Sequence, residues 1–246
     1  MTGQSRAFAS QLRTEVRLAA RQGEQLLVSL GIPLLVLVFF TSVDVLPTGT
    51  DEPIDYVAPA VLALAVMSTA LVSLGIGTGF ERSYGVLKRL GASPLGRPRW
   101  VAAKLALVLG TEVLQWVVLV SVAVVLGWQP AATGWPPALA GGLLGTAAFG
   151  GLGLLMAGNL PGLATLAGAN GLYLVLLLTG GMVVPLSELP SGVAAVARVL
   201  PAAPLTEVLT GSLIQGQSVA GWAWPTLAIW AIAAPVAAAL TFRWDP

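Results

Sequence analysis

The 246-residue chain contains no cysteine and no histidine. Their absence removes disulfide frameworks, zinc and haem ligation, thiol or imidazole nucleophiles and serine-histidine triads together. Charge is almost as scarce, at 9% of residues against roughly a quarter in a water-soluble globule. Twelve basic and 11 acidic side chains leave a formal charge of +1, which gives no electrostatic reason for a nucleic-acid partner. What stands in place of charge is apolar surface, with 56% hydrophobic residues and a mean hydropathy of +0.86. Too little polar surface remains to coat a soluble domain, so the excess must face lipid.

A spanning helix needs about 20 mostly apolar residues to cross a hydrocarbon core of roughly 30 Å. Six stretches qualify: Gln25 to Val43, Val57 to Phe80, Val101 to Leu126, Pro137 to Ala157, Leu163 to Val184 and Val219 to Phe242. Each run is continuous rather than alternating, which reads as helix and not as barrel strand. The expected fold is therefore an all-α polytopic membrane protein with six transmembrane helices, a single unit over residues 1–246 with no soluble domain.

The basic residues fix an orientation. Arg6, Arg13, Arg17 and Arg21 precede the first span, Arg82, Lys88, Arg89, Arg97, Arg99 and Lys104 surround the second loop, and Arg243 follows the last span. Arg198 alone lies on the other side, while the first outer loop holds Asp44, Asp51, Glu52 and Asp55 with no basic residue. The positive-inside rule puts the Arg-rich side, and both termini, in the cytoplasm. The first span, with its charged leader and no small-residue cleavage site, reads as a retained anchor. In residues 1–23, Phe8, Leu12, Val16 and Ala19 share a helical face opposite Arg6, Arg13, Arg17 and Arg21. That is either a basic amphipathic helix for the headgroup layer or a solvated tail that only sets topology.

Two connections are more than turns. Residues 81–100 place Val86, Leu87 and Leu90 on an apolar helical patch beside Lys88 and Arg89, with Gly91 and Pro94 ending the turn. The alternative is a positive loop that merely fixes topology. Residues 185–217 are divided by Pro185, Pro190, Pro201 and Pro204 into Ser191 to Leu200 and Leu205 to Ile214. Each piece is too short to cross and too apolar for a free loop, which fits a pair of half-helices dipping into the outer leaflet. Gly75-x-x-x-Gly79, Gly141-x-x-x-Gly145 and the Gly150-Gly151-x-Gly153 cluster leave narrow helix faces, for packing within the chain or against a second copy.

Phe80-Glu81-Arg82-x-x-Gly85-Val86-Leu87-Lys88-Arg89-Leu90, then Pro94 and Lys104, resembles the cytoplasmic coupling loop of type-2 ATP-binding-cassette (ABC) transporter permeases. Gly180-Gly181-Met182-Val183-Val184-Pro185-Leu186-x-x-Leu189-Pro190, followed by Leu200-Pro201-x-x-Pro204-Leu205-Thr206, is similar to the same family's outer re-entrant signature. With the six spans and the leader, the resemblance covers essentially the whole chain and is nearest the small actinobacterial drug and antibiotic exporters of the daunorubicin-resistance kind. It implies a non-catalytic permease of the bacterial plasma membrane, paired with a second permease, identical or related. It also implies an ATPase-coupling segment formed by Glu81, Gly85, Val86, Leu87, Lys88, Arg89 and Leu90. ATP and Mg would sit on a separate ABC ATPase subunit, with no cofactor on this chain. The sequence agrees, since neither lysine, Lys88 or Lys104, stands in a Gly-x-x-x-x-Gly-Lys-Ser/Thr phosphate loop.

Candidate pathway residues are Glu112, Gln115 and Asn170. If Lys104 snorkels to the inner interface, Glu112 lies about 12 Å deeper, near mid-membrane, where a carboxylate must be protonated, paired or in contact with an aqueous cavity. It is either a cargo-contacting or proton-sensitive group, or a structural glutamic acid bonded to a neighbouring helix. Gln115, one turn along, is its nearest hydrogen-bonding companion. Asn170 is either interhelical glue or a pathway residue. Trp100, Trp128, Trp135, Trp222, Trp224 and Trp244 fall near span ends, as interfacial anchors do. The competing functions are an ion-coupled secondary transporter and an ABC exporter of lipid or polysaccharide; an intramembrane hydrolase lacks the residues it would need. A single cysteine introduced at Ser93 in this cysteine-free chain should react with impermeant thiol reagents only from the cytoplasmic side. Labelling from outside would refute the topology.

Overall fold

The computed structural model describes residues 23–43, 52–91 and 96–244, and all regular structure among them is helical. The expected leader, residues 1–22, lies outside the described residues, as do Asp44, Asp51 and Pro94. In chain order the helices are α1 (Gly23–Ser42), α2 (Pro53–Met67), α3 (Leu74–Ser83), α4 (Val86–Gly91), α5 (Gly96–Val125), α6 (Trp135–Asn159), α7 (Gly162–Thr179), α8 (Ser191–Val199), α9 (Ala202–Leu213) and α10 (Ala223–Thr241). A π-helical segment, Ser68–Ser73, joins α2 to α3, so the two run as one 31-residue span.

Five helical runs are long and apolar enough to cross a membrane: α2 through α3, α5, α6, α7 and α10. The first expected span falls on α1, which has 20 residues. Prolines open α2 and α6 at positions where the missing N–H costs nothing. Those inside α1, α2 and α10, at Pro33, Pro59 and Pro235, are of a kind membrane helices tolerate when neighbours satisfy the freed carbonyls. Four expected edges move by four or five residues, α2 opening at Pro53 and not Val57 and α5 at Gly96 and not Val101. α7 stops at Thr179 instead of Val184, because Gly181 adopts φ +76 and its carbonyl accepts a 2.5 Å hydrogen bond from Tyr56 Oη. The last span begins at Ala223, after a turn at 221–222, and not at Val219.

The bundle is organised around α2 and α3. Of the most apolar window of that span, 89% is buried inside the protein, against less than a third for α5, α7 and α10. A helix enclosed by other helices has no lipid to face, and its all-round apolar character follows from that. The π segment lies against α6, where glycine lets the backbones meet. A Cβ on Gly153 would sit 2.9 Å from the Leu71 carbonyl oxygen, and one on Gly75 would sit 3.0 Å from Gly153 Cα. Gly79 meets Thr165 of α7, while Gly141 and Gly145 meet Val208 and Leu205 of α9. The small-residue faces are thus used for packing within the chain.

The proline-divided segment forms a bent pair, with α8 and α9 at 90°. α9 starts at Ala202, earlier than expected, since Pro204 is accommodated in its first turn. It is buried along nearly its whole length against α2, α6 and α10, so protein shelters the irregular backbone at the bend. Arg198 of α8 stacks over the Trp222 ring at 5.8 Å.

Two opposite ends result. At one, Arg82 Nη2 donates to the Leu160 carbonyl (2.7 Å) and the Arg243 amide donates to Gly158 O (3.1 Å), gathering the basic ends of α3, α6 and α10. At the other, Trp128 and Trp135 meet edge to face and the Ala131 amide donates to Leu213 O. Overpacking the π segment should be costly: Gly153→Ala is expected to lose about 1–3 kcal/mol. Gly31→Ala, at a position with open space beyond the Cβ, should be neutral by comparison. Thermal unfolding of the detergent-solubilised variants checks both.

Candidate functional site

Two places carry chemistry, one at the basic end and one in the body of the bundle. At the basic end α3 stops at Ser83, whose hydroxyl donates to Gly79 O and accepts the Gly162 amide, both at 2.9 Å. Gly85 then adopts φ +70, a left-handed conformation that L side chains enter at a cost, and this turn launches α4. The expected coupling segment therefore contains a short helix, and Gly85 serves its turn.

The faces of that segment are distributed differently from the expectation. Leu87, expected as an exposed apolar knob, is 0% exposed. It packs on Trp100, which is 1% exposed, with Val101, Leu154, Phe242 and Trp244 around them. The three aromatic rings form a cluster with centroids 5.1 to 6.4 Å apart. Trp100 is accordingly a core residue and no interfacial anchor. Glu81, expected in the ATPase-coupling segment, is ion-paired with Lys104 at a largely buried position. Lys104 does not snorkel: it is 8% exposed, turned towards Glu81, with its ammonium 5.9 Å from the Trp100 ring centroid. What remains accessible is Tyr84, 73% exposed, with Val86 and Lys88. Arg89 and Leu90 lie on the α4 backbone.

In the body of the bundle, Glu112 of α5 is 6% exposed. The Thr146 hydroxyl on α6 stands 2.7 Å from Glu112 Oε2 and 2.9 Å from Gly142 O, between two acceptors. Glu112 Oε1 has no hydrogen-bond partner among the described residues, and neither has the neighbouring Trp116 Nε1. Both residues line a cavity of about 570 Å³ between α5 and α6. Gln115, expected beside Glu112, is buried, and its Oε1 accepts a 2.8 Å hydrogen bond from Thr69 in the π segment. Asn170 is exposed on α7 and its amide donates to Leu166 O of its own helix at 2.9 Å. α7 and α5 share no substantial contact, so Asn170 is not brought together with the other two. Thr146 and Trp116 were missed in the sequence reading. The signal for Thr146 was its position as a hydroxyl in the middle of an apolar span.

An all-helical bundle with several helices long and apolar enough to cross a membrane, and a bent helix pair beside them, defines an all-α polytopic membrane protein. The chain belongs to the ABC-2 type transporter family, whose model matches residues 6–214. Among curated proteins none matches the chain. It is thus a permease subunit of an ABC-type transporter, a membrane component that is generally non-catalytic and in this family normally works with an ABC ATPase subunit.

The burial of Leu87 yields a test at the basic end. Leu87→Ala should cost about 2–5 kcal/mol of stability by opening a cavity against Trp100. Val86→Ala, one residue earlier and exposed, should stay within about 0.5 kcal/mol of the parent. Denaturation followed by tryptophan fluorescence separates the two.

Proposed function

We propose that the chain forms the translocation pathway of an ATP-driven exporter and is energised by a separate ATPase that docks on the turn from Tyr84 to Lys88. The observation that carries the reading is the architecture of this turn. A short helix is launched by Gly85, pinned from behind by Leu87, and leaves Tyr84, Val86 and Lys88 exposed at the basic end. An apolar contact flanked by a cation is what a cleft on a soluble partner needs for affinity and orientation. Glu81 and Leu87 act in this scheme as positioning residues, holding α4 against α5.

The absence of a phosphate loop supports the division of labour, with ATP and Mg bound by the partner. The basic end faces the cytoplasm, by the positive-inside rule, in a bacterial plasma membrane. Export, and a small amphipathic cargo such as a drug or antibiotic, follow from the resemblance to small drug exporters; the described helices leave room for a cargo of that size between α5 and α6. A second permease, identical or related, completes the pathway.

The substitution Val86→Asp alters an exposed side chain. It should leave insertion and thermal stability unchanged while abolishing co-purification with the ATPase and transport. Normal ATPase retention by this variant would show that the turn is a topology signal and not a docking site.

A further inference from the structure

The groove between α5 and α6 has a composition that specifies a ligand. Its volume, about 570 Å³, lies within the range of roughly 300–1,000 Å³ typical of small-molecule sites. The walls are almost wholly apolar, and Val113, Val117 and Leu143 at its rim are each more than half exposed on the side of the bundle. A molecule dissolved in the hydrocarbon layer can enter from there without crossing a polar surface.

At the inner wall stands one group that the protein leaves incomplete. Glu112 is 94% buried by its 6% exposure, and one of its oxygens, Oε1, has no partner among the described residues. Among the described residues no Lys or Arg lines the groove. A buried carboxyl group there is satisfied by a proton or by a cation in contact with it, and among the described residues the groove supplies no cation of its own. The Trp116 and Trp135 side chains in the same walls add aromatic surface, which favours a cation over a neutral group.

We propose that this groove binds a single-tailed cationic amphiphile, with a protonated amine donating to Glu112 Oε1 and its apolar body lying along Trp116, Val117 and Leu143. The site assigns a chemical class to the cargo of the exporter described above, and the word cargo rests on that reading. Binding itself does not. Zwitterionic two-chain lipids are disfavoured, since the phosphate beside their amine would be brought towards the same carboxyl group. Neutral amphiphiles of equal length lack the charge that Glu112 selects.

The test uses the intact permease in phosphatidylcholine nanodiscs, without ATP or any partner, and tritiated dodecylamine as the probe. One saturable site per chain is expected, displaced by unlabelled dodecylamine and not by dodecanol. Glu112→Gln should weaken amine binding by about tenfold or more. Leu143→Trp, an exposed position at the rim, should block the groove with Glu112 intact, so the inference remains testable should Glu112→Gln fold poorly. No saturable binding by the parent protein, or amine binding unchanged in both variants, would overturn the proposal. Amine binding in nanodiscs, with no ATP-dependent dodecylamine transport by the permease and its ATPase in proteoliposomes, would instead refute the assignment of the amine as cargo and leave the site standing.

Discussion

The ion pair between Glu81 and Lys104 is the constraint on which the basic end depends. It joins the last turn of α3 to the first part of α5, the two helices that lead into and out of the α4 turn. Withdrawing both charges from water costs about as much as their attraction returns, so the pair's main contribution is geometric. Removing one partner would strand the other at a largely buried position. The intervening segment is therefore tethered on both sides, and Leu87 seated on Trp100, Phe242 and Trp244 adds a third attachment through the end of the chain. A load applied to the exposed Tyr84–Lys88 face is carried into α3, α5 and α10 together.

Those helices lead to the interior. α5 carries Glu112 and Gln115 further along the same rod. Gln115 is hydrogen-bonded to Thr69 in the π segment, where the enclosed central span departs from regular α geometry. π turns inside α-helices are frequent at functional positions. The π segment is also where Gly153 approaches most closely, so a change in its geometry would be felt by α6, which supplies Thr146 to the groove. The groove walls and the basic turn are thus linked by one continuous helix, α5.

Much of this was legible in the amino-acid sequence. Apolar runs long enough to cross a membrane identify themselves by length, and four prolines between residues 185 and 204 mark the bent pair. The side of α4 that is buried was not legible, because an amphipathic pattern marks an apolar face without naming what covers it. Leu87 and Val86 are equally apolar, yet only Leu87 meets the aromatic cluster, whose members come from the start of α5 and from the last residues of the chain. Lys104 was read as snorkelling, and its pairing with Glu81, 23 residues earlier, was not legible because the turn between them sets that distance. The glycine motifs could not reveal whether their partner was another chain or another helix of this one; the contacts of Gly75, Gly79, Gly141 and Gly145 are internal. The depth of Glu112 was counted from a snorkelling Lys104, which is instead paired with Glu81, and Thr146 on the facing helix could not be matched to Glu112 from spacing alone.

The central claim is that force enters the permease at the α4 turn from a separate ATPase. It is tested most directly by site-specific crosslinking in the native membrane, with a photoreactive group on a single cysteine at Tyr84, Val86 or Lys88, and a control at Thr133 near the opposite end. The account predicts covalent capture of a polypeptide bearing a nucleotide-binding phosphate loop from positions 84, 86 and 88, lost when ATPase expression is suppressed, and none from 133. Failure of all three positions to capture such an ATPase, or its capture from 133, would contradict it.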